Sequence, residues 1–546
     1  MQIHRRAMLS AATLGLAGLA SGRPAWALGE ADIFPVAETT EGKARGVRAG
    51  GVSMFKGLHY GGDTSGANRF MPPTPPPTWR GVRDAFEYGQ IAPQMPNSRE
   101  VAYSGLIMFD IQPGGMGEDC LVANVWTPAV GDGGRRPVLV HLHGGGFYGG
   151  SGNSPGYDGE SLARFGNCVV ITLNHRLGAF GYLNLSAAGP RFAHSGAAGM
   201  MDIVQALKWV RANAEAFGGD PSRVLVFGQS GGGAKTSVLM AMPSAHGLFH
   251  RAGVMSGATL RLPTAEQAGA STDAFLAAAG VSQGVGGKVD IGKLQAMSFE
   301  ALLAAQAQLE AAARAKGEAP RSFQPSIDGD AIPGNPFDPA APATSADVPM
   351  IISNVLDERA YRLANYDLDE AGLRAFIAKR VGEARADTVL AMYRDADPKA
   401  TPFVLQARFD TDESFRKPSI IETELKSAQA AAGGAPVWSY LYREPSPAYS
   451  GRYGVPHGSD VGPSLHDVRG GLNETGPEAL RLADEMASFW VAFAATGDPN
   501  NPRIPHWPAY RVPERATMVF GPQTRVEDDP RGTFREFWAK EPPVGR

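Results

Sequence analysis

Apolar residues along this chain fall into continuous runs that alternate with segments of helical spacing. Residues 136–142, 168–173 and 223–227 are nearly unbroken apolar stretches, the pattern of strands buried on both faces. Between the last two, Ile203, Ala206, Leu207, Val210 and Ala214 recur at three- and four-residue steps. That spacing predicts a helix over 203–217, ended by Gly218-Gly219. The rhythm predicts a largely parallel sheet with helices on both faces. Residues 50–95, rich in Gly and Pro, read as extended loops. Further on, 265–280, 299–316 and 370–394 are amphipathic helical segments, and short apolar runs at 349–352 and 437–441 predict two more strands of the sheet. A long helix is expected over 477–496, opened by Pro477 and stopped by Gly497-Asp498-Pro499. No repeat or linker is visible, so 28–546 reads as one α/β domain.

The first 27 residues stand apart. His4-Arg5-Arg6 is basic, 7–20 is small and apolar, and Ala25-Trp26-Ala27 has the form of a cleavage site. The apolar run is too short to span a membrane. The segment reads as an export signal of twin-arginine type, although it lacks the usual Phe and trailing Lys, and the expected location is periplasmic or secreted. Composition agrees with a large folded core: of 546 residues 43% are hydrophobic, with eight Trp and 25 Phe. A net charge of -4 gives no electrostatic ground for a nucleic-acid or anionic-membrane partner. Cys120 and Cys168 are too few for a disulfide framework, so the core has to hold the fold.

The candidate chemistry begins where the run 223–227 meets Gly228-Gln229-Ser230-Gly231-Gly232. A strand, a sharp glycine turn and a helix would present Ser230 as the nucleophile of a G-x-S-x-G elbow. With 68 Gly and 32 Ser in the chain, chance supplies about half such a match, so the pentapeptide needs support. The same stretch approaches a phosphate-binding loop, but Ala234 separates Gly233 from Lys235-Thr236 and breaks the register; Lys235 reads more simply as a helix-surface residue. Support comes from His143-Gly144-Gly145-Gly146-Phe147 after the strand 136–142, whose consecutive glycines let backbone N–H groups face a bound oxygen. Gly144, Gly146 and Gly149 also fit a dinucleotide fingerprint, but loop rather than helix is expected after them. In the order serine, acid, histidine, the acid falls at Asp357-Glu358 beyond the strand 349–352. The residues themselves leave the base open between His457, in a glycine-flanked turn, and His466.

From about residue 50 to the C-terminus the chain resembles the type-B carboxylesterases of the cholinesterase and para-nitrobenzyl esterase group, within the α/β-hydrolase fold. The residues that carry the resemblance are Arg69-Phe70, Glu118-Asp119-Cys120-Leu121, Asn124 to Pro128, His143 to Phe147, Asn174 to Tyr182, Phe217 to Pro221, Gly228 to Gly232, Asp328-Gly329-Asp330 with Asp357-Glu358, His457 to Asp460 and Thr496 to Pro499. It implies a central, mostly parallel sheet flanked by helices, with helical insertions forming a lid or gorge. It implies Ser230 as nucleophile, Glu358 as acid and His457 as base, with the N–H groups of Gly145, Gly146 and Gly231 as oxyanion hole. Ion pairs Arg69–Glu118 and Arg176–Asp202 are implied too. No cofactor or metal is called for; the expected partner is a small ester, and the expected state a monomer or weak oligomer.

The chain departs from the family pattern at Gln229 for Glu, Gly231 for Ala, Arg359 for Gly and Ala92 for the cysteine that would pair with Cys120. Cys120 is then expected as a free buried thiol. Gln229 and Phe147 are the candidate pocket residues. A neutral Gln229, and no tryptophan near Asp110, speak against choline esters and for uncharged, hydrophobic or aromatic ones. A binding module with a dead site is the alternative, disfavoured because every catalytic part is present.

Overall fold

The computed structural model describes residues 33–96, 103, 105–282, 289–316 and 323–542; the expected export signal over 1–27 lies outside the described residues. Eleven strands form the main sheet: β1 (Val47–Ala49), β2 (Val52–His59), β3 (Val122–Thr127), β4 (Arg136–Leu142), β5 (Val169–Leu173), β6 (Gly219–Gln229), β7 (Arg251–Met255), β8 (Met350–Val355), β9 (Val437–Tyr442), β10 (Ala516–Phe520) and β11 (Arg525–Asp528). Across the sheet the order is β11-β10-β9-β8-β7-β6-β4-β5-β3-β2-β1. From β5 to β10 the neighbours run parallel, while β1, β2 and β3 on one side and β11 on the other are antiparallel.

The apolar runs arise because both faces of the central strands are covered. Val138, Val140, Val224 and Val226 turn to one face, with Ile203, Leu207 and Val210 of the helix Ala198–Asn213. Leu139, Leu225 and Phe227 turn to the other, against Met486, Phe489, Trp490 and Phe493 of the helix Pro477–Thr496. Alternate residues of one strand thus feed two cores.

Three expectations change. The stretch read as loops contains β2, whose Val52, Phe55 and Leu58 are buried; a register shift between Phe55 and Leu58 interrupts the alternation that would have revealed it. The segment 370–394 is two helices, Glu370–Val381 and Glu383–Ala396, parted at Gly382, whose φ of +84° favours glycine. The helix predicted to begin at 203 starts at Ala198. Helical insertions do follow β7 and β8, as Ala265–Ala278, Phe299–Ala315 and the run from Pro402 to Ala431. Among the described residues no helix is long and apolar enough to cross a membrane.

The implied ion pairs form, and both are buried. Arg176 Nε and Nη2 donate to Asp202 at 2.8 and 2.6 Å, and Arg69 Nε donates to Glu118 at 2.7 Å. Breaking such a pair leaves one charge alone in the interior, so each fixes the loop it belongs to. Cys120 and Cys168 are free and buried, and burial pushes both thiols up.

Candidate active site

β6 delivers Ser230 to the C-terminal edge of the sheet. The seryl backbone takes φ +59° and ψ -120°, a conformation rare for a residue with a side chain, held by its N–H donating to Met255 O at 2.8 Å and by Ala234 N–H donating to its carbonyl at 3.0 Å. The helix Gly231–Met240 starts at once, so the N–H of Gly231 has no partner inside the helix. β4 ends at the neighbouring edge, and the loop after it brings Gly145 and Gly146 alongside. A Cβ at Gly231 would lie 2.3 Å from Gly146 N and 2.4 Å from Gly146 O, so only glycine lets this loop come so near. An alanine there would force the two apart. Gly144 N–H donates to Tyr157 Oη at 3.0 Å and Gly149 N–H to Gly145 O at 3.1 Å, which holds the loop's shape. The next helical turn comes only at Pro155–Tyr157, so no helix starts at the glycines. Phe147 packs into the core against Tyr182 with ring centroids 5.5 Å apart; the exposed ring of the loop is Tyr148.

The carboxylate enters beyond β8. Glu358 is fully buried: Val355 N–H donates to its Oε1 at 2.9 Å and Asn354 Nδ2 at 3.4 Å. Its Oε2 lies 2.5 Å from His457 Nδ1. Asp357 turns the other way, to Arg408 Nε at 2.8 Å and Val455 N at 2.9 Å. His466 is remote, paired with Asp484 at 2.8 Å and stacked on Phe165. The imidazole of His457 is held by Tyr361, stacked on it at 4.8 Å, and by Phe415 at 5.2 Å, while Tyr103 Oη donates to its carbonyl. Tyr361 follows Glu358 by three residues within a single 3₁₀ segment, a spacing readable once Glu358 is singled out. Tyr103, Asn354 and Phe415 have no local signature. Behind the pair sits Asp460, which accepts from Tyr440 Oη at 2.9 Å; burial, then the Glu358 carboxylate, push it up to about 7.

The fourth contact of the imidazole concerns Gln229. Its Nε2 lies 3.1 Å from His457 Nε2. An amide N–H there donates to an imidazole lone pair, which puts the ring proton on Nδ1, facing Glu358. Among the described residues, no hydrogen bond joins Ser230 Oγ to His457.

Lys235 corrects an expectation. It does not lie on the helix surface but is fully buried, with Nζ donating to His143 O at 2.8 Å. An ammonium turned under the glycine loop cannot meet the phosphates of a nucleotide, and the phosphate-loop reading fails on that geometry.

The carboxylesterase family profile matches residues 34–538. The para-nitrobenzyl esterase of Bacillus subtilis is 35% identical over 92% of this chain and 98% of that enzyme. The phenmedipham hydrolase of Pseudarthrobacter oxydans is 31% identical over 89% of this chain and 95% of its own. Among solved structures, an esterase from Clostridium hathewayi that hydrolyses aliphatic aromatic polyesters superposes with a TM-score of 0.79 at 33% identity, covering 93% of this chain and 98% of its own.

Proposed function

Since the chain belongs to the carboxylesterase family and is a carboxylic ester hydrolase, we propose that it works through Ser230, Glu358 and His457 by an acyl-enzyme route. One observation carries this reading: His457 is bonded through Nδ1 to the buried Glu358 while its Nε2 faces the elbow that holds Ser230. On substrate binding the Nε2 lone pair exchanges the Gln229 amide for the Ser230 hydroxyl. Ser230 Oγ then attacks the ester carbonyl as its proton passes to Nε2, and the carbonyl oxygen takes up the negative charge. The N–H groups of Gly145, Gly146 and Gly231 receive that oxyanion, each donor contributing about 3 kcal/mol. Collapse breaks the C–O bond to the alcohol, which leaves with the proton from Nε2. Water, deprotonated by the same nitrogen, releases the acid and restores Ser230. Glu358 stabilises the imidazolium at each stage.

The substrates proposed are uncharged esters with hydrophobic or aromatic parts. Gln229 puts no negative charge beside the base, and Tyr148 and Tyr361 offer ring surface at the site. Relatives named for para-nitrobenzyl esters and aliphatic aromatic polyesters agree. The test is a fluorophosphonate adduct mapped to Ser230, together with kcat/KM for para-nitrophenyl esters from acetate to palmitate, an aromatic diester and a choline ester. Neutral esters turned over and choline esters poorly used is the expected result. Ester hydrolysis by protein that never carries the label on Ser230 would overturn the mechanism.

Gln229 yields a separate expectation. In Gln229→Glu a carboxylate would stand beside Nε2 and favour the imidazolium, which cannot accept the serine proton. The acid limb of kcat/KM should therefore move to higher pH by about one unit, with the alkaline side of the profile unchanged. A pH–rate profile of the two proteins measures it; superimposable limbs would place Gln229 away from the base in solution.

A further inference from the structure

The ammonium of Lys235 is buried without a carboxylate. Among the described residues its one hydrogen-bond partner is His143 O, and no acidic group lies within salt-bridge reach. The titratable groups around it do not balance the charge. His141 and His143 on the β4 side and His175 beyond β5 are held neutral, first by burial and then by Lys235 itself. Arg176 behind His175 is a cation spent on Asp202, and Glu422, on the far side of the helix, bonds Ser237 and Thr259 N–H instead. A lone buried cation is costly unless negative charge arrives beside it or the group gives up its proton.

Its position suggests what arrives. Lys235 lies one helical turn below Gly231, and the carbonyl it holds belongs to the residue that leads into Gly144, Gly145 and Gly146. It therefore ties together the two backbone segments from which the oxyanion donors come. We propose that Lys235 is a positioning residue of the oxyanion hole, whose positive charge is compensated only when the tetrahedral oxyanion forms above it. The proposal rests on the assignment of that hole. It differs from the simpler view of Lys235 as a loop strut, which would support ground state and transition state equally.

Lys235→Met and Lys235→Gln separate the possibilities, since Gln keeps a donor for His143 O without the charge. In Lys235→Met, kcat should fall about 10- to 100-fold with KM within a factor of about two. Affinity for a trifluoromethyl ketone, which binds as a hemiketal oxyanion, should fall by the same factor, and Lys235→Gln should recover little of it. Burial pushes Lys235 down to about 7, so its charge is lost as pH rises through that value. Wild-type kcat should accordingly decline on the alkaline side, and both variants should lack that decline. Folding is checked by thermal denaturation, and the serine and base by fluorophosphonate labelling. Loss of labelling in the wild type would sink the Ser230 mechanism; labelled variants that keep wild-type ketone affinity would sink only this proposal. Variants that lose substrate and ketone binding alike, with no change in pH profile, would reduce Lys235 to a strut.

Discussion

Ser230→Ala is expected to lower kcat for a short para-nitrophenyl ester by about 10⁴- to 10⁶-fold, with KM little changed. The alanine keeps the Cβ and so fits the same strained turn, where the backbone bonds to Met255 O and from Ala234 N are unaffected. What disappears is the oxygen proposed to form the acyl bond. The glycine donors and the imidazole remain, and the residual rate reports what they achieve with water alone. Single-turnover measurements should show the burst of para-nitrophenol in the wild type and none in the variant. A variant within tenfold of the wild type would mean that another group attacks the ester.

Glu358→Gln should cost about 10⁴-fold in kcat while leaving the fold intact. The reason lies in which oxygen is already taken. Oε1 accepts from Val355 N–H at 2.9 Å, so the glutamine oxygen is bound to occupy that place. Its NH₂ group then faces His457 Nδ1, where the wild-type carboxylate accepts. The amide donates to Nδ1, the ring proton moves to Nε2, and the lone pair needed for Ser230 is lost. Nitrogen NMR of the imidazole should report the exchange of tautomers alongside the fall in rate. A tautomer unchanged from the wild type together with the full loss of kcat would contradict this account, and so would wild-type kcat. Removal of charge and reversal of the proton's place act in the same direction, since the imidazolium formed during attack also loses its counter-charge.

Much of this site is written locally. A strand that ends in glycine, a serine and a helix is a matter of a dozen consecutive residues, so the elbow at Ser230 and the glycine loop after β4 could be read from their own neighbourhoods. The helix Pro477–Thr496 was legible with both ends for the same reason: its proline, its stripe and its terminal glycine lie in one segment. β2 was not, because a register shift breaks the alternation on which such a reading depends. Lys235 reads as a surface residue because lysine ordinarily keeps its ammonium in water, whereas the helix Gly231–Met240 is buried nearly all round and has no wet side.

The choice between Asp357 and Glu358, and between His457 and His466, belongs to another class of question. Adjacent carboxylates leave β8 in opposite directions, one to Arg408 and one to His457, and no periodicity says which. Glu358 and His457 are 99 residues apart, and what joins them is the parallel pairing of β8 with β9, the stack of Tyr361 and the bond from Tyr103. The chain's local pattern was enough for the α/β sheet and for the turn that presents Ser230, because periodicity and turn chemistry act over a few residues. The partner of Glu358, the amide resting on His457, and the cation beneath the glycine loop arise from contacts between distant segments. Those contacts follow from how the segments pack, and packing is a property of the whole fold.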